Sequence, residues 1–149
     1  MTIINLTTKI KASQQTVFDV SRNIDIHQQS ASKTNEVAIA GVTSGLINYN
    51  ETVTWRGKHL GFYLTHKSRM TAMNMYDYFV DEMEEGKFKT FRHEHFFEEE
   101  NGITTMKDKL QYKTPFGIFG KLFDVLFLKK HLTKFLLERN KVLKEVSES

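Results

Sequence analysis

The hydrophobic period of the chain changes once, at its only proline, Pro115. Before it, from about residue 34 to residue 112, apolar and polar residues alternate in short segments separated by Gly, Asn and acidic turns, a pattern typical of antiparallel strands. After it, apolar residues recur at helical spacing, which predicts one helix from about Phe119 to Val146, roughly 42 Å long. Because an isolated helix of this kind is not stable in water, the chain is expected to form a sheet that curls around its last helix.

The other elements complete an α+β layout in the order β-α-α-β-β-β-β-β-β-α. Residues 2–10 alternate as a first strand, and Ser13 is placed to cap a short helix, with a second short helix near residues 25–30. Six further strands are predicted at roughly 35–40, 46–57, 61–71, 75–83, 87–98 and 103–113. The predicted fold class is therefore α+β, with a seven-stranded antiparallel sheet and a long C-terminal helix in a single domain over residues 1–149.

Composition excludes several classes of protein. The absence of cysteine rules out a disulfide framework, thiolate metal sites and a cysteine nucleophile. A net charge of +3 is too small to imply a nucleic-acid partner. No apolar run approaches the ~20 residues that cross a bilayer, and the first ten residues do not resemble a signal peptide, so a cytoplasmic location without integral membrane association is expected. The 12 phenylalanines and 6 methionines indicate a large, adaptable apolar interior.

Two histidines lie two positions apart in the segment FRHEHFF, residues 91–97. Side chains alternate along a strand, so His93 and His95 share one face with Phe91 and Phe97. The following Asn101 and Gly102 fit a two-residue hairpin turn, and this turn sets the register with the next strand. The predicted cross-strand pairs are Phe97 with Met106, His95 with Asp108, His93 with Leu110, and Phe91 with Tyr112.

The turn at residues 84–86 suggests a second register, with the preceding strand. If Met83 faces Lys87, Phe79 lies opposite Phe91, and Asp81 falls on the same face as the histidines. The two registers together predict an apolar concavity, rich in phenylalanine, that carries a polar stripe. The stripe consists of His93, His95, Asp108 and Asp81.

Three interpretations of this stripe compete. His93, His95 and Asp108 are ligand types that Zn²⁺ accepts, but no other residue completes the set, so no metal or other cofactor is expected. As an acid/base pair, Asp108 would orient His95 and raise its proton affinity. As a buried and mutually satisfied pair, the same two residues would shape a cavity and bind the polar end of a ligand.

Five segments of the chain, together with the order of its elements, resemble one known superfamily. The segments are IKASQQTVFDVS, SGLINYNETVTWRGKHLG, FVDEMEEGKFKTFRHEHFF, TTMKDKLQYKTPFGIFG and HLTKFLLERNKVLK. The resemblance is to the helix-grip superfamily, which includes START lipid-transfer domains, plant pathogenesis-related allergens and polyketide cyclases, and especially to small bacterial SRPBCC members. It implies a helix-grip fold and a protein, monomeric or weakly dimeric, that binds a small hydrophobic ligand such as a lipid, polyketide or aromatic molecule.

Two alternatives to simple binding stay open, because one fold hosts many functions. One is a cyclase or dehydratase that uses His95 and Asp108 as its catalytic residues. The other is a co-chaperone-like module that binds proteins through the outer face of its sheet. The candidate ligand-binding residues are Trp55, Phe79, Phe91, His93, His95, Phe97, Met106, Asp108, Leu110, Tyr112, Phe123 and Phe127.

Two surface features accompany the last helix. The apolar loop TPFGIFG, residues 114–120, either forms a rim or lid over a pocket entrance or anchors the helix start. The lysines at positions 129, 130, 134, 141 and 144 predict a solvated helix face rather than a contact with an anionic membrane, because Asp124, Glu138 and Glu145 are interspersed.

Overall fold

The computed structural model describes residues 1–149 and confirms the predicted α+β fold and order of elements. Three helical segments follow Pro115: two α-helices and, between them, a π-helical turn over Asp124–Leu128. The elements are β1 (Thr2–Ile10), α1 (Gln14–Ser21), α2 (Ile24–Ser30), β2 (Val37–Gly41), β3 (Thr52–His59), β4 (Phe62–Asn74), β5 (Tyr78–Glu85), β6 (Thr90–Glu100), β7 (Ile103–Lys113), α3 (Gly117–Phe123) and α4 (Lys129–Glu148). The strand predicted at 46–57 begins only at Thr52, and the long helix begins at Gly117 rather than near Phe119.

The seven strands form one antiparallel sheet in the order β1-β7-β6-β5-β4-β3-β2. The register predicted between β6 and β7 is confirmed, with His95 opposite Asp108 and Phe91 opposite Tyr112. Asn101 and Gly102 take positive φ angles of 52° and 77° in the turn between these strands. A turn of this kind closes the hairpin without an extra residue, so the strands pair in the counted register.

The register predicted between β5 and β6 is wrong. Phe79 lies opposite His95, not Phe91, and Asp81 lies opposite His93. Pairing on this side ends at Glu82 and Arg92, so the connection is longer than the three-residue turn on which the prediction depended. Because the shift is an even number of residues, from 91 to 95, Asp81 still falls on the histidine face.

The apolar stripe predicted for the start of the C-terminal helix is also wrong. Leu122, Phe123, Leu126 and Phe127 are exposed, and the buried residues of this part are Gly120 and Asp124. The carboxylate of Asp124 accepts a 2.5 Å hydrogen bond from the buried Tyr112 hydroxyl and another from Thr2. This polar anchor, rather than an apolar face, therefore decides which side of the segment faces the sheet.

The interior consists of two apolar clusters. In one, Phe18 of α1 packs edge-on against Phe79 and Phe97 of the sheet. In the other, Leu132 and Leu136 of α4 join residues of β1 and β7, including Leu110 and Tyr112. None of the helices is both long enough and apolar enough to cross a membrane.

Candidate functional site

A cavity of about 190 Å³ lies between the concave face of the sheet and α4. Of the 30 residues that line it, 14 are hydrophobic, including Trp55, Phe79 and Leu136. All six histidines of the chain also line it. They are His27, His59, His66, His93, His95 and His131. The cavity is thus an apolar space into which polar side chains converge from α2, β3, β4, β6 and α4.

Asp108 lies at the centre of the first polar group, the Asp108 cluster, which consists of Asp81, His93, His95, Asp108, Arg139 and Asn140. Its carboxylate accepts hydrogen bonds from His93 Nε2 at 2.8 Å, Arg139 Nη1 at 3.1 Å and Asn140 Nδ2 at 2.8 Å. Burial alone would raise the pKa of Asp108, but the charge of Arg139 and the hydrogen bond from His93 hold that pKa well below its usual range. Asp108 is therefore ionised and can only accept hydrogen bonds.

His95 is bonded at both of its ring nitrogens. Its Nδ1 lies 3.3 Å from Arg139 Nη2, and because a guanidinium can only donate, Nδ1 is the acceptor. The proton of the neutral ring is therefore on Nε2, which donates it to Asp81 Oδ2 at 2.7 Å. Burial lowers the pKa of His95 to about 4, an effect that His93 reinforces and Asp81 opposes. Burial alone would raise the pKa of Asp81, but the hydrogen bond from His95 and the charges of the nearby histidines lower it to about 2.

The expected hydrogen bond between the side chains of His95 and Asp108 is not formed. The two residues are opposite each other in the sheet, yet His95 Nδ1 lies 3.6 Å from Asp108 Oδ1. Asp108 binds His93 instead, and His95 binds Asp81 on the strand to the other side. The imidazole rings of His93 and His95 stack with their centroids 3.8 Å apart, and Phe79 covers His95 at 4.1 Å.

His93 presents a free nitrogen to the cavity. Its Nε2 donates to the ionised Asp108, so in the neutral ring Nδ1 carries the lone pair, and Nδ1 has no partner within the protein. The hydroxyl of Ser147 is the only fully buried side-chain polar atom without a hydrogen-bond partner. Since His93 lines the cavity and its Nδ1 is not occluded, this nitrogen is open to a bound molecule.

A second polar group, the Glu36 cluster, consists of His27, Glu36, His59 and His131. The Glu36 carboxylate is bonded to His27 Nε2 at 3.0 Å and to His59 Nε2 at 3.1 Å. Burial would raise the pKa of Glu36, but these two histidines lower it to about 2. His59 Nδ1 lies 2.9 Å from His131 Nε2, which links β3 to the start of α4.

Three side chains of the Asp108 cluster are of types that bind metal ions. Asp81, His93 and His95 each have a potential ligand atom within 4.8 Å of the others, and Asp81 takes the place that Asp108 had in the expected set. In the observed arrangement, however, the two imidazole rings stack at an angle of 29° and donate to different carboxylates. The absence of a metal stays a prediction.

The structure divides the predicted ligand-binding residues into three groups. Trp55, Phe79, Phe91, His93, His95 and Leu110 line the cavity. Phe97, Met106, Asp108 and Tyr112 are buried but do not line it, and Phe123 and Phe127 are exposed outside it.

Sequence reasoning missed Arg139, Asn140 and most of the Glu36 cluster. For Arg139 and Asn140 a signal was present: each lies three residues from a buried leucine, Leu136 or Leu143, and so belongs to the buried face of α4. For Glu36, His27 and His131 there was no such signal, because they come from three separate parts of the chain.

Solved structures of the same fold cover almost the whole chain. TTHA0849 from Thermus thermophilus shares 16% identity over 97% of this chain and 95% of its own, with a TM-score of 0.75. A START superfamily protein from Mycobacterium smegmatis shares 13% identity over 98% and 97% of the two chains, with a TM-score of 0.73. Ginseng major latex-like protein 151 from Panax ginseng shares 12% identity over 99% and 98%, with a TM-score of 0.72.

These likenesses confirm the helix-grip fold that the sequence predicted. No protein-family model and no curated protein matches the chain.

Proposed function

We propose that the protein binds a small, mostly apolar molecule between the sheet and α4. The observation that carries this proposal is the cavity of about 190 Å³, which is bounded by buried apolar side chains and filled by none of them. Protein interiors are close-packed, with few voids larger than a water molecule. A co-chaperone-like module that worked through the outer face of its sheet would have no use for such a space, so the cavity favours binding.

The polar wall of the cavity indicates one chemical property of the ligand. His93 Nδ1 is a free acceptor, whereas the guanidinium of Arg139 already donates to Asp108, Asn140 and His95. A hydroxyl or N–H group on the ligand would satisfy His93, and no anionic group is required. The expected ligand is therefore an apolar body with one hydrogen-bond donor at the end that meets β6.

Native mass spectrometry of protein purified from its own host tests for a retained molecule. Binding itself is measured by equilibrium dialysis with naphthol and with its methyl ether, which has the same apolar body but no donor. We expect naphthol to bind about fivefold more tightly, the worth of one net hydrogen bond. The preference should disappear in a His93→Phe variant, whose side chain offers no acceptor.

A pair of tryptophan variants tests the location. Leu132 lines the cavity, and Leu137, on the same helix, is 53% exposed. Leu132→Trp should fill the cavity and lower the affinity for naphthol roughly tenfold, whereas Leu137→Trp should leave it unchanged. Equal affinities in the two variants, or no binding to the unmodified protein, would refute the proposed function.

A second candidate, acid/base catalysis of the cyclase or dehydratase type, is favoured by the same free nitrogen. The pair would be His93 with Asp108 rather than His95 with Asp108, because both nitrogens of His95 are already bonded within the protein. If the molecule retained from the host is converted on incubation, His93→Gln should stop the conversion without abolishing binding. A retained molecule that is recovered unchanged would leave binding as the function.

A further inference from the structure

We propose that the surface around residues 116–127 is a peripheral docking site for an anionic lipid bilayer. Eight large apolar side chains of this segment are exposed, several by more than 70%. They are Phe116, Ile118, Phe119, Leu122, Phe123, Val125, Leu126 and Phe127. Such a concentration of apolar groups is rare on the surface of a monomeric protein and marks a site that is covered in use.

The charge of this surface selects an anionic partner. Residues 114–137 contain four lysines, Lys121, Lys129, Lys130 and Lys134, all of them exposed. The only acidic residue of the stretch, Asp124, is buried and bonded to Tyr112. Of the three acidic residues that were expected to balance the lysines, Asp124 does not reach the surface. Glu138 and Glu145 lie beyond this stretch on α4, and Glu138 is paired with Lys33. The exposed charge of residues 114–137 is purely positive, which suits the headgroups of anionic lipids.

The distribution of the apolar side chains favours a bilayer over a protein. Val125, Leu126 and Phe127 are consecutive and all exposed, so they cannot share one face of the helix. A helix that docks in a protein groove presents a narrower apolar stripe, whereas the apolar layer of a membrane can surround a segment. A second copy of the chain is disfavoured because a symmetric contact would bring the same lysines together.

The surface adjoins one part of the cavity wall. Leu128 and His131, which follow the segment directly, line the cavity, and His131 is bonded to His59 at the end of β3. The β3–β4 hairpin that begins there exposes Leu60 and Phe62. Exposed apolar side chains thus lie on both sides of the His59–His131 contact, and a bilayer docked there would lie next to the cavity wall. The docking proposal does not depend on what the cavity holds.

Co-sedimentation with lipid vesicles tests the proposal. The protein should bind vesicles that contain phosphatidylglycerol with phosphatidylcholine, bind phosphatidylcholine alone much more weakly, and be released by salt. A Phe119→Ser, Phe123→Ser variant should lower the partition coefficient roughly 100-fold, about tenfold for each phenylalanine. A Lys129→Gln, Lys130→Gln variant should lower it about 30-fold on the anionic vesicles only.

Tyr49→Ser is the matched control. Tyr49 is 61% exposed, and it lies just before the start of β3, whereas the β3–β4 hairpin lies at the other end of that strand. This variant should bind vesicles as the unmodified protein does, and all variants should keep the same thermal unfolding temperature, since every changed side chain is exposed. The proposal is overturned if the anionic vesicles bind no protein, or if the phenylalanine variant binds like Tyr49→Ser. A dimer in solution that the phenylalanine variant abolishes would assign the surface to a second copy instead.

Discussion

The buried ion pair between Asp108 and Arg139 can be tested by removing each partner and then both. Asp108 is 2% exposed and Arg139 is 3% exposed, and Asp108 is the only carboxylate within ion-pair distance of that guanidinium, at 3.1 Å. Asp108→Asn leaves Arg139 charged and buried without a counterion. It also replaces one acceptor oxygen by an amide that cannot accept from His93 or Asn140.

Removing one member of a buried pair costs about 3 to 5 kcal/mol, because the other charge stays buried without compensation. We expect Asp108→Asn to lower the free energy of unfolding by this amount. Arg139→Met should lie at the lower end of the range, since His93 and Asn140 still donate to Asp108. The double variant removes both charges together, so its loss should be smaller than the sum of the single losses by about 2 to 3 kcal/mol.

Urea unfolding at neutral pH, followed by far-UV circular dichroism, measures the three free energies. Arg92→Met is the matched control, because Arg92 pairs with Glu82 and Glu94 while its side chain is 42% exposed. Its loss should stay below about 1 kcal/mol. Losses at Asp108 and Arg139 that add within about 0.5 kcal/mol would show that the two residues do not interact, and would refute the reasoning.

Two further predictions concern pH and the β6–β7 turn. Acid should destabilise the fold in two stages. In the first, His95 is protonated near pH 6.5 in the unfolded chain but only near pH 4 in the folded chain. The free energy of unfolding therefore falls by about 3 kcal/mol as the pH drops across that interval. In the second stage, Asp81, whose pKa in the folded chain is about 2, loses its stabilising contribution as the pH falls from about 4 toward 2. Urea unfolding over the whole pH range should show both stages. A free energy of unfolding that stays constant above pH 4 would contradict the first. Gly102→Ala should lower the stability measured by thermal unfolding by about 1 kcal/mol. The added Cβ would contact no other atom, but the φ of +77° is unfavourable for any residue with a Cβ. An unchanged stability would contradict this backbone argument.

Periodicity and turn chemistry are local properties, and they were sufficient for the element order and for one register. The alternation before Pro115 and the helical spacing after it predicted the sheet and the last helix. Asn101 and Gly102 specify a turn of fixed length, so the pairing of His95 with Asp108 could be counted along the chain. The longer connection from β5 to β6 has no fixed length of this kind, and the counted pairing of Phe79 with Phe91 was wrong.

The polar contacts of the Asp108 cluster depend on tertiary structure. Backbone pairing places His95 opposite Asp108, but α4 brings Arg139 and Asn140 to the same carboxylate and leaves His93 as the histidine that Asp108 binds. At the other end, the hydrogen bonds of Asp124 turn the apolar side chains after Pro115 outward, against their helical pattern. A sequence pattern states which residues share a face. The packing of distant elements decides which polar partners reach that face and at what distance.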